Sequence, residues 1–396
     1  MKAERRVLVI ARRYWPTTND STLRLRSFCQ RLRGESIEAS VLTPRWHRDW
    51  PRQVSVEEVP VLRLEDPPTA QMRQNRYYRT MADWLTKEAS KYDAIYCDAA
   101  GGDASTVLSV QASTHLRIPL IVRFDPNELS QHHLGAWQPT PRAIDACRRA
   151  TTVVVPNSTA HQRILGAGID RESVVRMVDW PATVIDRSLQ ARASARRALA
   201  EINHDFTLRS HDRVVLCPGE LTRDWGVDAL IDALAHLIET NRSLRLWIHG
   251  DGIERARIYE ALQFRGLHRI VVLPGMFTCM EALLQAADLC VFPAAGRGLG
   301  WLVPTCITSS IPFVAAQSPE LVGLLGDTCC PLLYPAGNAK ALQSWVAGWL
   351  RDSGPAHQAI GRVREIARQN VPLDQSLAHL LRLDFNRSTT TADAVR

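Results

Sequence analysis

Short apolar runs separated by amphipathic stretches recur along the whole chain. Val7–Ala11, Ala39–Thr43, Val59–Leu64, Ala94–Cys97, Pro119–Phe124 and Thr151–Pro156 read as strands. Val7–Ala11 is apolar throughout rather than alternating, as expected of a parallel strand covered on both faces. Between these runs, apolar spacing at Leu23, Phe28 and Leu32 predicts a helix, and Tyr77–Tyr92, Gly101–His115 and Arg142–Arg149 predict three more. The pattern weakens between Trp180 and Leu208, where the Arg- and Ala-rich Leu189–Ile202 reads as an exposed helix. It then restarts with strands Arg213–Cys217, Leu244–His249, Ile270–Leu273, Leu289–Phe292 and Pro312–Ala315. Helices Gly226–Thr240, Ile253–Phe264, Cys279–Ala287 and Trp301–Ser309 alternate with them.

Alternation of this kind implies doubly wound parallel sheets, and its doubling implies an α/β chain of two Rossmann-like domains facing across a cleft. Residues 1–185 form the expected N-terminal domain and 186–370 the C-terminal one. The helix Gly354–Gln369 breaks at Asn370-Val371-Pro372, because proline removes a backbone bond. Residues 371–385 then read as a terminal helix crossing back to the N-terminal domain, and the Ser- and Thr-rich 386–396 as a disordered tail.

A length of 396 residues fits two domains, and 45% hydrophobic with 22% charged residues is ordinary for a globular chain. The net charge of +7 comes from Arg far more than Lys. Arginine binds phosphate and carboxylate bidentately, so an anionic small molecule or a peripheral contact with an anionic membrane face is expected. Nucleic acid is not, since no basic run is interleaved with aromatics. The nine cysteines form no Cys-x-x-Cys pair, which argues for a reducing compartment and against structural zinc. His132-His133 reads as part of an exposed loop. The first apolar run is too short for a signal peptide or a membrane span, so the expected location is the cytoplasm, with the inner membrane face as a peripheral site.

The chemistry concentrates in residues 293–315. Gly298, Gly300, Pro312, Val314 and Ala315 fit the pattern Pro-Ser-x-x-Glu-Gly-Phe-Gly followed by a helix and x-Gly-x-Pro-Val-Val-Ala. This resembles the donor-binding signature of the retaining, family-four (group 1) glycosyltransferases of the GT-B fold. Leu246–Arg255 is similar to that family's strand ending in Val-Gly-Asp-Gly-Pro-Glu-Arg. Val272–Gly275 resembles the strand-loop that lies against the nucleotide base, and Ala286-Ala287-Asp288 the Tyr-Ala-Asp before the next strand. The resemblance runs from Arg6 to about Phe385. It implies a metal-independent transferase with no cofactor, using a nucleotide-sugar as co-substrate.

The signature is degenerate. The first glutamate position, which the resemblance assigns to the donor sugar, holds Arg297, and the second, assigned to the ribose, holds Thr305. The loop that supplies an Arg and a Lys in the family reads Gly219-Glu220-Leu221-Thr222-Arg223-Asp224-Trp225-Gly226, with Glu220 and Trp225 in place of the cations. Expected donor contacts are therefore Gly219, Glu220, Arg223, Trp225, Gly250, Met276, Arg297, Gly298, Leu299, Gly300 and Thr305. Arg223 and Arg297 would restore positive charge for a pyrophosphate, or stand as solvated loop arginines.

In the N-terminal half, Thr18-Asn19-Asp20-Ser21 replaces the family's Gly-Gly loop, and Pro119–Val122 runs into Arg123-Phe124-Asp125. Asp20, Arg123 and Asp125 are the catalytic candidates; Asp20 alternatively caps the helix that follows it. Arg12 and Asn19 are the acceptor-side candidates. Arg12 and Arg123 end parallel strands, the edge where open α/β sheets bind ligands, which points to an anionic acceptor. Trp15, Trp180, Trp225 and Trp301 read as packing residues, as a stacking surface, or as a plug over the donor site. Two functions remain open: a transferase with a rebuilt donor clamp, or an inactive relative acting as a binding or partner subunit.

Overall fold

The computed structural model describes residues 5–65, 67, 71–98, 104–124, 141–268, 270–275, 277–325 and 331–370. The expected terminal helix 371–385 and the tail 386–396 lie outside these residues, as do Asp125, His132, His133 and Met276. The chain divides into two compact units, the first comprising 1–15 and 25–178 and the second 16–24 and 179–371. The segment Pro16–Arg24 thus belongs by its contacts to the second unit, although it lies early in the sequence.

The first unit holds an eight-stranded sheet in the order β3-β4-β2-β1-β5-β6-β7-β8. Its strands are β1 (Arg5–Ala11), β2 (Ile37–Pro44), β3 (Gln53–Val56), β4 (Val59–Leu64), β5 (Ala94–Asp98), β6 (Leu120–Arg123), β7 (Thr152–Val155) and β8 (Val174–Arg176). All neighbours are parallel except β3 and β4. β1 shows why the run from Val7 is continuously apolar. Val7 and Val9 join a core with Phe28 and Leu32 on one face, while Leu8 and Ile10 join Tyr77, Met81 and Leu85 on the other.

The β3–β4 hairpin is invisible in the sequence, and its turn explains why. Glu57 and Glu58 both adopt positive φ, 51° and 64°, the two-residue geometry that normally selects Asn-Gly. Here the strain is offset from outside the turn. Arg26 and Gln30 bind the Glu57 carboxylate, and Arg33 binds the Glu58 carboxylate and the Glu57 carbonyl.

The second unit carries six parallel strands in the order β11-β10-β9-β12-β13-β14. They are β9 (Arg213–Pro218), β10 (Leu244–His249), β11 (Val271–Val272), β12 (Leu289–Phe292), β13 (Phe313–Ala316) and β14 (Leu333–Tyr334). The helix Leu189–Ile202 is amphipathic rather than wholly exposed: Ala195 and Leu199 are buried. Arg187, just before this helix, and Arg196 within it reach the end of the helix Met280–Ala286. Arg187 donates to the carbonyls of Leu284 and Gln285, and Arg196 to that of Ala286. These are the last carbonyls of that helix, where cations are favoured.

Asp288 ties the same corner together. Its carboxylate accepts from Arg192, from Arg196 at 2.7 Å and from the Val214 backbone N–H at 2.7 Å, at the start of β9. Replacing Asp288 with Ala should lower the unfolding free energy by about 2–4 kcal/mol, because two half-buried guanidinium groups and a backbone donor lose their acceptor. Chemical denaturation measures this; a change below about 1 kcal/mol would show that the arginines are held by the helix carbonyls alone.

Candidate functional site

The site begins at the carboxyl ends of β9 and β10. Gly219 and Gly250 meet so closely that a Cβ on Gly250 would lie 1.9 Å from the Gly219 carbonyl oxygen, and Gly250 has a φ of +143°. Only glycine allows both demands. Gly219 is also covered from the other side, since a Cβ there would fall 1.8 Å from the Trp225 ring. Trp225 is buried, with 5% of its surface exposed, and its Nε1 donates to the Pro218 carbonyl at 3.2 Å. The lysine position of the resembled family thus holds a ring packed down on the glycine loop.

After β12 the chain turns through Gly296 and Gly298, both with positive φ (71° and 74°), and enters the helix Leu302–Thr308. The backbone N–H groups of Gly300, Trp301 and Leu302 converge on one carboxylate. Asp20 Oδ2 accepts from Gly300 at 2.6 Å, and Oδ1 from Trp301 at 2.8 Å and Leu302 at 2.9 Å. Desolvation raises the Asp20 carboxyl above its ordinary range, against the pull of the three N–H bonds and of Arg24.

Asp20 does not cap its own helix, Asp20–Gly34; Asn19 does, its Oδ1 accepting from Thr22 N at 3.0 Å. The same Asn19 donates through Nδ2 to Glu220 Oε1 at 2.9 Å. Segment 16–24 is therefore fastened to the second unit at two points, and Asn19 stands among the expected donor-side residues.

The remaining candidates are scattered in character. Arg297 is largely buried and lies 3.9 Å from Asp224; Arg223 is mostly exposed and lies 3.6 Å from Glu254. Thr305 is fully buried, so its hydroxyl is out of reach of any surface ligand in this conformation. Leu299 belongs to the turn before the helix. In the first unit, Arg123 ends β6 and is buried, whereas Arg12 is exposed beyond β1. Among the described residues, no three His, Cys, Asp or Glu side chains stand together as metal ligands would.

One participant escaped the sequence reading. His249 ends β10 and is buried; its Nε2 lies 3.0 Å from the Phe277 carbonyl and 3.2 Å from the Phe277 N–H. It pins the loop after β11, and burial pushes its pKa down to about 4, so it stays neutral. A histidine directly before Gly250-Asp251-Gly252 was the available signal.

Two family models match the chain. Residues 21–180 match a glycosyl transferase 4-like domain, and residues 212–352 match glycosyl transferases group 1. The chain belongs to the group 1 glycosyltransferases. No curated protein matches it. Among solved structures, this glycosyltransferase chain is similar to sucrose-phosphate synthase from Thermosynechococcus elongatus, with 17% identity, a TM-score of 0.70, and 98% of this chain and 100% of that one covered. It is also similar to HepE of Anabaena, solved with UDP and glucose (19% identity, TM-score 0.69, 95% and 98% covered). A third is the catalytic domain of starch synthase IV from Arabidopsis thaliana, solved with ADP and acarbose (13%, 0.68, 98% and 99%). These likenesses show the GT-B fold. Among the described residues, no helix is long and apolar enough to cross a membrane.

The packing of Trp225 on Gly219 gives a direct check. Gly219→Ala should destabilise the second unit by about 1–3 kcal/mol through overpacking, and most of that loss should vanish when Trp225→Ala is already present. A double-mutant cycle measures the coupling; additive effects would mean that the ring does not constrain the glycine.

Proposed function

We propose that the protein transfers a sugar from a nucleoside-diphosphate donor, with retention and without a metal, and that the donor diphosphate binds where the Asp20 carboxylate now sits. The observation that carries this reading is the set of three N–H groups at Gly300, Trp301 and Leu302, already loaded with an anion. A leaving diphosphate gains charge as its bond to the anomeric carbon breaks, and fixed backbone donors stabilise that charge without reorganising. Arg297 adjoins this turn in sequence and Arg223 lies in the loop after β9; these are the cations we assign to the diphosphate. The complexes of HepE with UDP and glucose and of starch synthase IV with ADP support a nucleotide donor. We assign the acceptor to the first unit, with Arg12 favouring an anionic one, and place the protein in the cytoplasm or peripherally at the inner membrane face.

The packing around Gly219 favours a second reading. Trp225 fills the space over the glycine loop, and Glu220 is engaged by Asn19. A chain closed in this way would serve as a non-catalytic partner subunit.

Asp20→Ala separates the two. It removes the resident anion, so affinity for UDP or ADP in calorimetric titration should rise at least tenfold, about 1.4 kcal/mol. Thermal stability should fall in the same variant, because three donors lose a charged acceptor. Opposite shifts in affinity and stability support the donor reading. A folded variant that binds no nucleoside diphosphate would leave only the partner role. Within the donor reading, Arg297→Ala should weaken binding by about 1.5–3 kcal/mol; unchanged affinity would remove Arg297 from the clamp.

A further inference from the structure

The loops at the carboxyl ends of β1, β2 and β4 gather three tryptophans and six arginines. β4, β2 and β1 are adjacent in the sheet, so the residues just beyond them share one edge. Arg63, buried at the end of β4, organises the cluster. Its guanidinium lies 5.8 Å from the Trp15 ring and 5.5 Å from the Trp50 ring, and it donates to the carbonyls of Pro51 and Trp15 at 2.8 Å each. Arg45 reinforces the same loop, donating to the Trp50 carbonyl at 2.6 Å and to the Arg48 carbonyl. Trp46 is fixed separately, its Nε1 donating to the Arg12 carbonyl at 2.8 Å, with the Arg13 guanidinium 5.5 Å from its ring.

Two kinds of arginine result. Arg45 and Arg63 are inside the cluster and hold it. Arg12, Arg13, Arg48 and Arg52 are exposed. Of these four, Arg52 pairs with Glu65, which Arg45 also binds. Asp49 is exposed in the same loop. The edge therefore presents half-exposed, rigid indole rings flanked by cations, with the exposed Asp49 carboxylate among them.

We infer that this edge binds an anionic saccharide chain, which would be the acceptor if the transferase reading holds. A pyranose presents an apolar C–H face that packs on a held indole ring, and its acidic substituents suit the bidentate guanidinium group. The ring orientation is fixed before binding by Arg63 and by the Trp46–Arg12 bond, which limits the entropy lost on association. Asp49 decides between anionic polymers. Sugar hydroxyls donate hydrogen bonds to a carboxylate, whereas the phosphodiester backbone of a nucleic acid offers it only repulsion.

The test uses the intact protein without any donor nucleotide, so its outcome is independent of whether sugar transfer occurs. A heparin-derived hexasaccharide is titrated while tryptophan fluorescence is followed. Maltohexaose, a six-nucleotide oligo-dT and phosphatidylglycerol vesicles are titrated in parallel. The hexasaccharide should bind and shift the emission, and the double variant Arg13→Ala, Arg48→Ala should weaken it at least tenfold with an unchanged melting temperature. Arg197→Ala with Arg209→Ala, two exposed cations of the second unit, should leave affinity within twofold. Asp49→Ala should weaken the hexasaccharide and strengthen oligo-dT. Equal loss in the two arginine pairs would reduce the effect to general charge and overturn the inference. So would equal binding of maltohexaose, tighter binding of oligo-dT or of the vesicles, or no binding of the hexasaccharide.

Discussion

One carboxylate organises the second unit's functional end. A helix start leaves N–H groups with no partner inside the helix, and burying them without an acceptor is expensive. Asp20 satisfies two of them, at Trp301 and Leu302, together with the N–H of Gly300 in the turn before, which lies 280 residues later in the chain. The bond explains why segment 16–24 clusters with the second unit and not with the strand it follows. It also explains the glycine at 300, since a Cβ there would lie 2.7 Å from Asp20 Oδ2. The geometry of the turn and the placement of the early segment are thus two aspects of one interaction.

The same interaction recasts the electrostatics of the glycine loops. Beside a diphosphate, Glu220 would be a repulsive charge. In the folded chain it accepts a hydrogen bond from Asn19, so its carboxylate helps to hold the segment that delivers Asp20. The substitutions away from the family pattern are therefore not independent losses. Asn19 and Asp20 occupy the loop where the family has Gly-Gly, Glu220 replaces a cation, and Trp225 covers the glycine that the cation's loop begins with. All four make internal contacts: Asn19 with Glu220, Asp20 with the turn at Gly300, and Trp225 with Pro218 and Gly219.

The fold was legible because it rests on periodicity. Buried parallel strands are apolar on both faces, and Val59–Leu64, Leu244–His249 and Leu289–Phe292 were readable to the residue. The β3–β4 hairpin was not, because Glu57-Glu58 carries no turn signal and is held by arginines from a helix distant in sequence. The helix Ser158–Gly166 and the last elements, Pro319–Leu325, β14 and Ala339–Arg351, were likewise passed over; they are short or mixed in polarity.

The site divides along the same physical line. Gly219, Gly250 and Gly298 stand out through the family resemblance, and the structure gives each a reason to be glycine: close approach at Gly219 and Gly250, positive φ at Gly298. The destination of Asp20 could not be read in advance, because local reasoning sees an aspartate at a helix start and assigns it to that helix. Asn19 takes that cap instead, which releases the Asp20 carboxylate to satisfy a different helix. A side chain's chemistry can be read from its neighbours in sequence, but its partner is decided by which unsatisfied group the tertiary fold brings within reach. Here that group is the anion-binding turn, and an acid in the first half of the sequence sets the electrostatics of the expected donor loop.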